Sequence, residues 1–262
     1  MRYLIVSAAA LAAAFLTLFS GFGLGTLLMP VLALFFPVEM AVAGAAAVHL
    51  ANNLFKVLLL GKYARLAVVV RFGVPAGLFA LAGAWVLGAA SATPALAVYG
   101  LGGRTFSITP VKVLVAGIVL TFALMDFIPR LNRLAFDPRY LGLGGALSGF
   151  FGGLSGHQGA LRTAFLSRAG LGKEALLGTM ILCAVVVDAV RLPVYAWNLS
   201  GGSGTPPDLR GEASLLLAAT LSAFVGSWIG ARLVRRVTLA GVHRLIGVLL
   251  VLFALALGTG FL

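Results

Sequence analysis

Long apolar stretches alternate with short polar connections over the whole chain. Crossing the hydrocarbon of a bilayer takes about 20 apolar residues in a helix. By that measure, eight stretches are predicted to be transmembrane helices: 3–20, 40–60, 66–90, 111–128, 140–154, 174–197, 213–234 and 243–261. Two shorter segments, 25–36 and 158–168, follow glycine-rich sequence and are too short to cross unaided. We expect them to be re-entrant half-helices that return to the side from which they came.

Glycine is concentrated at two breaks in this apolar pattern, 20–26 and 148–159. Glycine is a poor helix former, so such density inside apolar sequence needs a reason. At bilayer depth, irregular backbone is tolerated only where it is buried in protein or faces water. The two breaks are therefore predicted to contribute to one site, near the middle of the membrane.

Composition is that of a polytopic all-α membrane protein with almost no domain outside the membrane. Of the 262 residues, 61% are hydrophobic and 10% are charged, whereas about a quarter of the residues of a soluble domain are charged. The single cysteine, Cys183, lies in an apolar stretch and gives neither a disulfide framework nor a redox pair. No HExxH, CxxC, Walker or paired-carboxylate motif occurs. We therefore expect no enzyme, no cofactor and no metal site.

The net charge of +12 follows membrane topology better than it follows a nucleic-acid partner, which we do not expect. Four connections, 61–71, 129–139, 168–173 and 232–244, hold 12 of the 19 basic residues. The positive-inside rule makes these connections cytoplasmic. Both termini are then extracytoplasmic, and residues 1–128 and 129–262 form two repeats of opposite orientation.

Weak internal similarity supports this duplication. At an offset of 135 residues, polar positions and glycines fall on one another: Ser20 on Ser155, Gly21 on Gly156, Glu39 on Glu174, Asn53 on Asp188, and Lys56 on Arg191. The connections 37–39, 91–110 and 198–212, rich in Gly, Pro and Ser, are expected to be exposed turns.

Four polar residues of the second stretch share one helix face: His49, Asn52, Asn53 and Lys56. Polar side chains inside a span are costly and usually face a cavity or a partner. We expect this stripe to line the substrate path. Taken singly, the asparagines would bond to neighbouring helices and Lys56 would extend to the cytoplasmic interface.

The second break carries the strongest candidate for anion binding. Gln158 and Arg162 lie on the half-helix that begins beside His157. The unpaired N–H groups and positive dipole of a helix start attract anions, and a guanidinium adds a bidentate donor. The alternative is an ion pair of Arg162 with Asp188 or Glu174. The backbone contacts are expected from five residues of the two breaks: Gly23, Gly25, Thr26, Gly156 and Gly159.

Asp188 and Arg191 are three residues apart and can pair on one helix face. Such a pair is either structural or, through Asp188, a carrier of protons. His49 and His157 are the other candidates for proton coupling.

These features predict a secondary transporter of a small oxyanion, with alternating access between the repeats. Its expected partners are the anion and membrane lipid; the oligomeric state stays open. One alternative is an anion channel, which needs an open pore. The other is an intramembrane enzyme that uses His49, His157 or Asp188 as acid or base.

Segments along nearly the whole chain resemble one family. They are SGFGLG at 20–25 leading to Pro30, the helix start at 39–47, the second break, and GSWIGAR at 226–232. In their order and duplication they resemble the sulfite exporter TauE/SafE family, also called toluene sulfonate uptake permeases. The resemblance implies a bacterial inner-membrane carrier, and an exporter, of sulfite or organosulfonates. The sequence SGHQG at 155–159 departs from a family run closer to Gly-x-Gly-Gly-Gly.

Overall fold

A computed structural model describes residues 1–20, 24–127, 135–201, 209–233 and 240–262. Within these ranges the chain forms ten α-helices: α1 Arg2–Ser20, α2 Leu24–Leu32, α3 Val38–Leu60, α4 Leu66–Ser91, α5 Pro110–Phe127, α6 Leu141–Ser155, α7 Gly159–Leu166, α8 Lys173–Gly201, α9 Leu209–Leu233 and α10 Ala240–Gly258. It also forms two 3₁₀ turns, Gly61–Tyr63 and Pro138–Tyr140, and two strands, β1 Ala97–Leu101 and β2 Arg104–Ile108. Gly23 and the predicted boundary between residues 128 and 129 lie outside the described residues.

Within the described residues, each of the eight predicted apolar stretches and each of the two short segments contains an α-helix. Four helices within the described residues are long and apolar enough to cross a membrane by themselves: Val38–Tyr63, Leu66–Ser91, Lys173–Ser200 and Glu212–Arg232. Shorter apolar helices cover Arg2–Thr17, Pro110–Met125 and Ile246–Gly258.

The two half-helices are shorter than the sequence predicts. The helix α2 has 9 residues and ends at Leu32, where a turn over 33–36 leads to Pro37. The helix α7 has 8 residues and ends at Leu166, and the chain then turns through Gly170 with a φ of 69°. The predicted end at 36 is wrong because the apolar sequence continues through the turn at 33–36, and the predicted end at 168 lies two residues beyond the last helical residue, Leu166.

Glycine brings α6 into direct contact with α4. A Cβ on Gly145, Gly149 or Gly153 would overlap the carbonyl of a residue of α4, namely Phe72, Ala76 and Ala80 in that order. The three glycines are four residues apart and therefore lie on one helix face. Close backbone approach through small residues is a usual way to pack helices in lipid. These three glycines near the second break therefore pack α6 on α4 and do not line a cavity.

Three further pairs of helices are in extended contact. The helix α1 packs along α9, where a Cβ on Gly226 would overlap the carbonyl of Leu11. The helix α3 packs along α8, and α5 packs along α10. Each of these three pairs joins a helix from residues 1–127 to a helix from residues 141–258.

The connection 91–110, expected to be an exposed turn, contains a β-hairpin. The strands β1 and β2 are antiparallel, and Gly102 and Gly103 connect them with φ angles of 60° and 77°. A pair of positive φ angles is what a two-residue hairpin loop requires. The Tyr99 hydroxyl donates to the Thr259 carbonyl at 2.6 Å, which fastens the hairpin to the chain end. The Gly-Gly between two β-prone runs was the available signal.

We expect Gly149→Ala to destabilise the protein by about 1–3 kcal/mol, because the added Cβ has no space against Ala76. The measurement is unfolding of the detergent-solubilised protein. The matched control is Gly117→Ala in α5, where a Cβ would meet nothing within 4 Å. Equal stability of the two variants would contradict the packing of α4 on α6.

Candidate functional site

Buried polar groups from α3, α8 and the break before α7 converge on the carboxylate of Asp188. His49 Nδ1 donates to its Oδ2 at 2.6 Å. Arg191 donates to its Oδ1 from Nε at 3.0 Å and from Nη2 at 2.7 Å. Gln158 Nε2 approaches the same Oδ1 at 3.4 Å. Asp188 is completely buried, so these contacts take the place of its hydration.

The tautomer of His49 follows from its two neighbours. A carboxylate only accepts, so Nδ1 carries the hydrogen that faces Asp188. Nε2 of the neutral ring is then an acceptor, and the Asn53 amide nitrogen lies 3.2 Å from it. Both ring nitrogens of His49 therefore have partners.

Every guanidinium nitrogen of Arg191 has a hydrogen-bond partner. Besides pairing with Asp188, its Nη1 donates to the carbonyl of Gly152. The Tyr195 hydroxyl donates to the carbonyl of Gly153 and lies 3.4 Å from Arg191 Nη1. These carbonyls belong to the last turn of α6, where the Gly152 carbonyl also accepts from the Gly156 N–H at 2.9 Å. Arg191 thus combines the predicted ion pair with closure of a helix end.

The other half of the polar stripe faces α9. With its amide oriented to satisfy both atoms, Asn52 donates to Ser227 Oγ at 2.8 Å and to the Ala223 carbonyl at 3.2 Å. Its oxygen accepts from Lys56 Nζ at 3.3 Å. Lys56 is buried, with 6% of its surface exposed. It therefore does not extend to the cytoplasmic interface of the membrane, which was the alternative to lining the substrate path.

The four residues of the stripe are all buried, with at most 6% of each exposed. Two apolar grooves of about 690 and 620 Å³ lie elsewhere, one between α2, α3, α8 and α9 and the other between α1, α2 and α10. Neither groove is lined by a candidate residue. In this conformation His49 bonds to Asp188 of α8 and Asn52 bonds to Ser227 of α9, and the role of the stripe in lining a substrate path stays a prediction.

The second break is built by Gly156, whose φ of 82° ends α6, and by Gln158, which precedes α7. Arg162 lies one turn into α7 and is 5% exposed, yet its Nε and Nη1 have no hydrogen-bond partner among the described residues. Gln158 Oε1 is likewise unpartnered. No described carboxylate lies within ion-pair distance of Arg162, so the alternative pairing with Asp188 or Glu174 is not formed.

Arg162 and His157 face different parts of the protein. The Arg162 guanidinium lies in Coulombic range of Asp188 and Arg191 on α8, and of His49 and Lys56 on α3. The ring of His157 instead lies parallel to Phe122 of α5, with centroids 6.3 Å apart. Its Nδ1 is 3.0 Å from the Ser155 carbonyl, and its Nε2 has no partner among the described residues.

The two breaks lie next to each other. A Cβ on Gly25 would be 3.7 Å from the carbonyl oxygen of Gly156. Gly25 and Thr26 are buried at the start of α2, and Gly159 is buried at the start of α7. The starts of both half-helices are therefore close to the Asp188 cluster.

The charges of this buried cluster do not balance. Lys56, Arg162 and Arg191 bring three positive charges and Asp188 brings one negative charge, which leaves a formal excess of two. An uncompensated charge away from water is costly. The Nε–H and Nη1–H groups of Arg162 lie on different sides of the guanidinium, and each is a charged donor that suits an oxyanion.

Sequence reasoning did not single out three residues of the cluster: Tyr195, Ser148 and Ser227. Ser148 Oγ donates to the Gln158 carbonyl at 2.9 Å and so holds the break in place. Tyr195 is one turn beyond Arg191, a spacing that marks one face of α8. Among the described residues, no group of three or more His, Cys, Asp or Glu side chains could hold a metal ion.

Comparison with known proteins gives one result. The family model described as Sulfite exporter TauE/SafE matches residues 6–257, which is nearly the whole chain. No curated protein matches the chain. No solved structure matches it either.

We expect Asp188→Asn to cost about 3–5 kcal/mol of stability, because it leaves Arg191 buried without a counter-charge. Unfolding of the purified protein in detergent measures this change. The matched control is Asp137→Asn. Asp137 is exposed, and its Oδ1 is 3.9 Å from Arg139 Nε, so loss of this exposed ion pair should cost less than about 1 kcal/mol. Equal effects of the two substitutions would show that Asp188 does not hold the cluster together.

Proposed function

Because the chain belongs to the sulfite exporter TauE/SafE family, we propose that it is a secondary transporter of a small sulfur-containing oxyanion. Its substrate is sulfite or an organosulfonate, and its location is a bacterial inner membrane. The apolar helices and the family make it a multi-pass membrane protein. Transport, and not catalysis, is the activity of this family.

The observation that carries this proposal is Arg162. A buried guanidinium with two unpartnered nitrogens, in a cluster with excess positive charge, lacks a negative partner. A bound oxyanion supplies that charge and accepts from one of these two charged donors. The start of α7 is one turn away and adds its dipole to the attraction.

Each candidate residue then has a role. Arg162 and Gln158 contact the anion directly, and Lys56 with Asn52 forms the positive wall on the side of α3. Backbone groups at the two breaks, Gly23, Gly25, Thr26, Gly156 and Gly159, complete the site. His49, Asn53 and Arg191 hold Asp188, which keeps Gln158 in place.

Alternating access arises from two inverted repeats, α1–α5 and α6–α10, with eight spans and two half-helices. The helix pairs support this arrangement. Exchanging the repeats turns the pair α1–α9 into α6–α4, and it leaves the pairs α3–α8 and α5–α10 unchanged. Contacts of this kind are what a pseudo-two-fold axis produces, and inverted repeats of secondary transporters rock about such an axis.

We assign the coupled proton to His157. A proton carrier needs a free site, and the nitrogens of His49 and the oxygens of Asp188 already have partners. His157 Nδ1 donates to Ser155, which leaves Nε2 as a buried free acceptor. The charged group in range of His157 is Arg191 of α8, and α5 presents only the Phe122 ring among the described contacts.

We expect Arg162→Met to weaken binding of sulfite and methanesulfonate by at least about tenfold, because it removes a charge-assisted hydrogen bond and the buried positive charge. Isothermal titration of the purified protein measures the affinity. The matched control is Arg139→Met, which removes an exposed guanidinium with the same formal charge. Wild-type affinity in the Arg162 variant would overturn the proposed site.

We expect the basic connections to be cytoplasmic and the hairpin to be external. Cysteine replaces the exposed residue Lys62 or Arg104 in a Cys183→Ala background, from which the one native thiol, itself buried, is absent. A membrane-impermeant maleimide should label position 104 in intact spheroplasts, and position 62 only after permeabilisation. The reverse result would contradict the proposed orientation, with both termini outside.

A further inference from the structure

We propose that the site selects oxyanions that carry a hydrogen-bond donor of their own, and that Gln158 detects this donor. The inference rests on the proposed function, in which Arg162 binds the anion. It adds a substrate class: anions with an O–H or N–H group, such as hydroxyalkanesulfonates, bind in preference to anions that offer acceptors only.

The orientation of the Gln158 amide is fixed by Asp188. His49 and Arg191 keep Asp188 as an acceptor on both of its oxygens. Only the amide nitrogen of Gln158 can therefore face Oδ1, at 3.4 Å, since the opposite orientation would bring two oxygens together. Oε1 consequently points away from Asp188.

Gln158 is also held in place by its surroundings. Its carbonyl accepts from Ser148 Oγ at 2.9 Å, and its side chain packs against the backbone of Gly152. It is 1% exposed, and its Oε1 has no partner among the described residues. An acceptor that is buried, fixed and unpaired costs free energy until a donor reaches it.

Arg162, one turn further along α7, presents unpartnered hydrogen-bond donors, whereas Gln158 presents an unpartnered acceptor. Residues four apart share a helix face, so the guanidinium and Oε1 of Gln158 are on the same side of α7. Neither Nε nor Nη1 of Arg162 bonds to that oxygen, because all three atoms are unpartnered. A ligand that reaches both side chains must accept from the arginine and donate to the glutamine.

Simple oxyanions meet only half of this requirement. A sulfonate or sulfite without hydrogen offers acceptors to Arg162 but sets lone pairs against Oε1. A hydroxyl or an ammonium on the same anion supplies the missing donor. Sites built to bond a polar hydrogen strongly reject ligands that lack it, and we expect a preference of at least about tenfold here.

The test compares anions that differ by one hydroxyl: 2-hydroxyethanesulfonate with ethanesulfonate, and hydroxymethanesulfonate with methanesulfonate. Affinities are measured by isothermal titration with the purified full chain. We expect the hydroxylated anion to bind at least about tenfold more tightly in at least one pair. Equal affinity within both pairs in the wild-type protein overturns the inference without any variant.

Gln158→Met keeps the length of the side chain and removes the acceptor. We expect this variant to bind both members of each pair within about twofold of each other, and the binding to remain dependent on Arg162. The matched control is Asn198→Leu, since Asn198 is an amide of α8 that bonds to the Ala84 carbonyl and touches no group of the cluster. Retention of the preference by Gln158→Met would assign the selectivity to another group and overturn the inference.

The two proposals fail in different ways. If none of the four sulfonates binds, or if Arg162→Met leaves their binding unchanged, the proposed anion site itself is wrong. If all four bind in an Arg162-dependent manner and no pair shows a preference, the anion site stands and only the role of Gln158 is wrong.

Discussion

The buried carboxylate of Asp188 is the interaction on which the rest of the site depends. It accepts from His49 of α3, from Arg191 of its own helix and from Gln158 at the second break. A charge without water must be paired, so these bonds join three segments that are far apart in sequence. Arg191 extends the connection to the last carbonyl groups of α6. This network, together with the hydrogen bond from Ser148 Oγ to the Gln158 carbonyl, fixes the backbone of the second glycine-rich break between α6 and α7.

Because Asp188 is already occupied, the remaining cations of the cluster are left without a counter-charge. Among the residues that the structure describes, Arg162 Nε and Nη1 have no partner, and Lys56 Nζ lies 3.3 Å from the oxygen of the Asn52 amide. One network therefore both positions the half-helix and leaves it positively charged. In the proposed function, the ion pair with Arg191 occupies the carboxylate, and the nearby guanidinium of Arg162 is left to bind a substrate anion.

Much of the fold could be predicted because hydrophobicity reports on helices in membranes directly. The breaks and polar candidates were visible as departures from that pattern. What the pattern could not give was the partner of each polar group. His49 and Arg191 converge on Asp188 only after α3 packs on α8, and Asn52 and Lys56 face α9 for the same reason. A glycine that packs α6 on α4 looks the same in the sequence as a glycine that lines a break. The sequence therefore could not distinguish the two roles.

The central claim is that an oxyanion neutralises Arg162 inside the protein. Anomalous diffraction from crystals grown with selenite tests it most directly, because selenium replaces the sulfur of sulfite and the protein contributes no such signal. We expect a selenium peak beside the Arg162 guanidinium, between the starts of α2 and α7, with a selenite oxygen accepting from Nε or Nη1. Selenium bound only at exposed arginines such as Arg139, with Arg162 still unpaired, would contradict it.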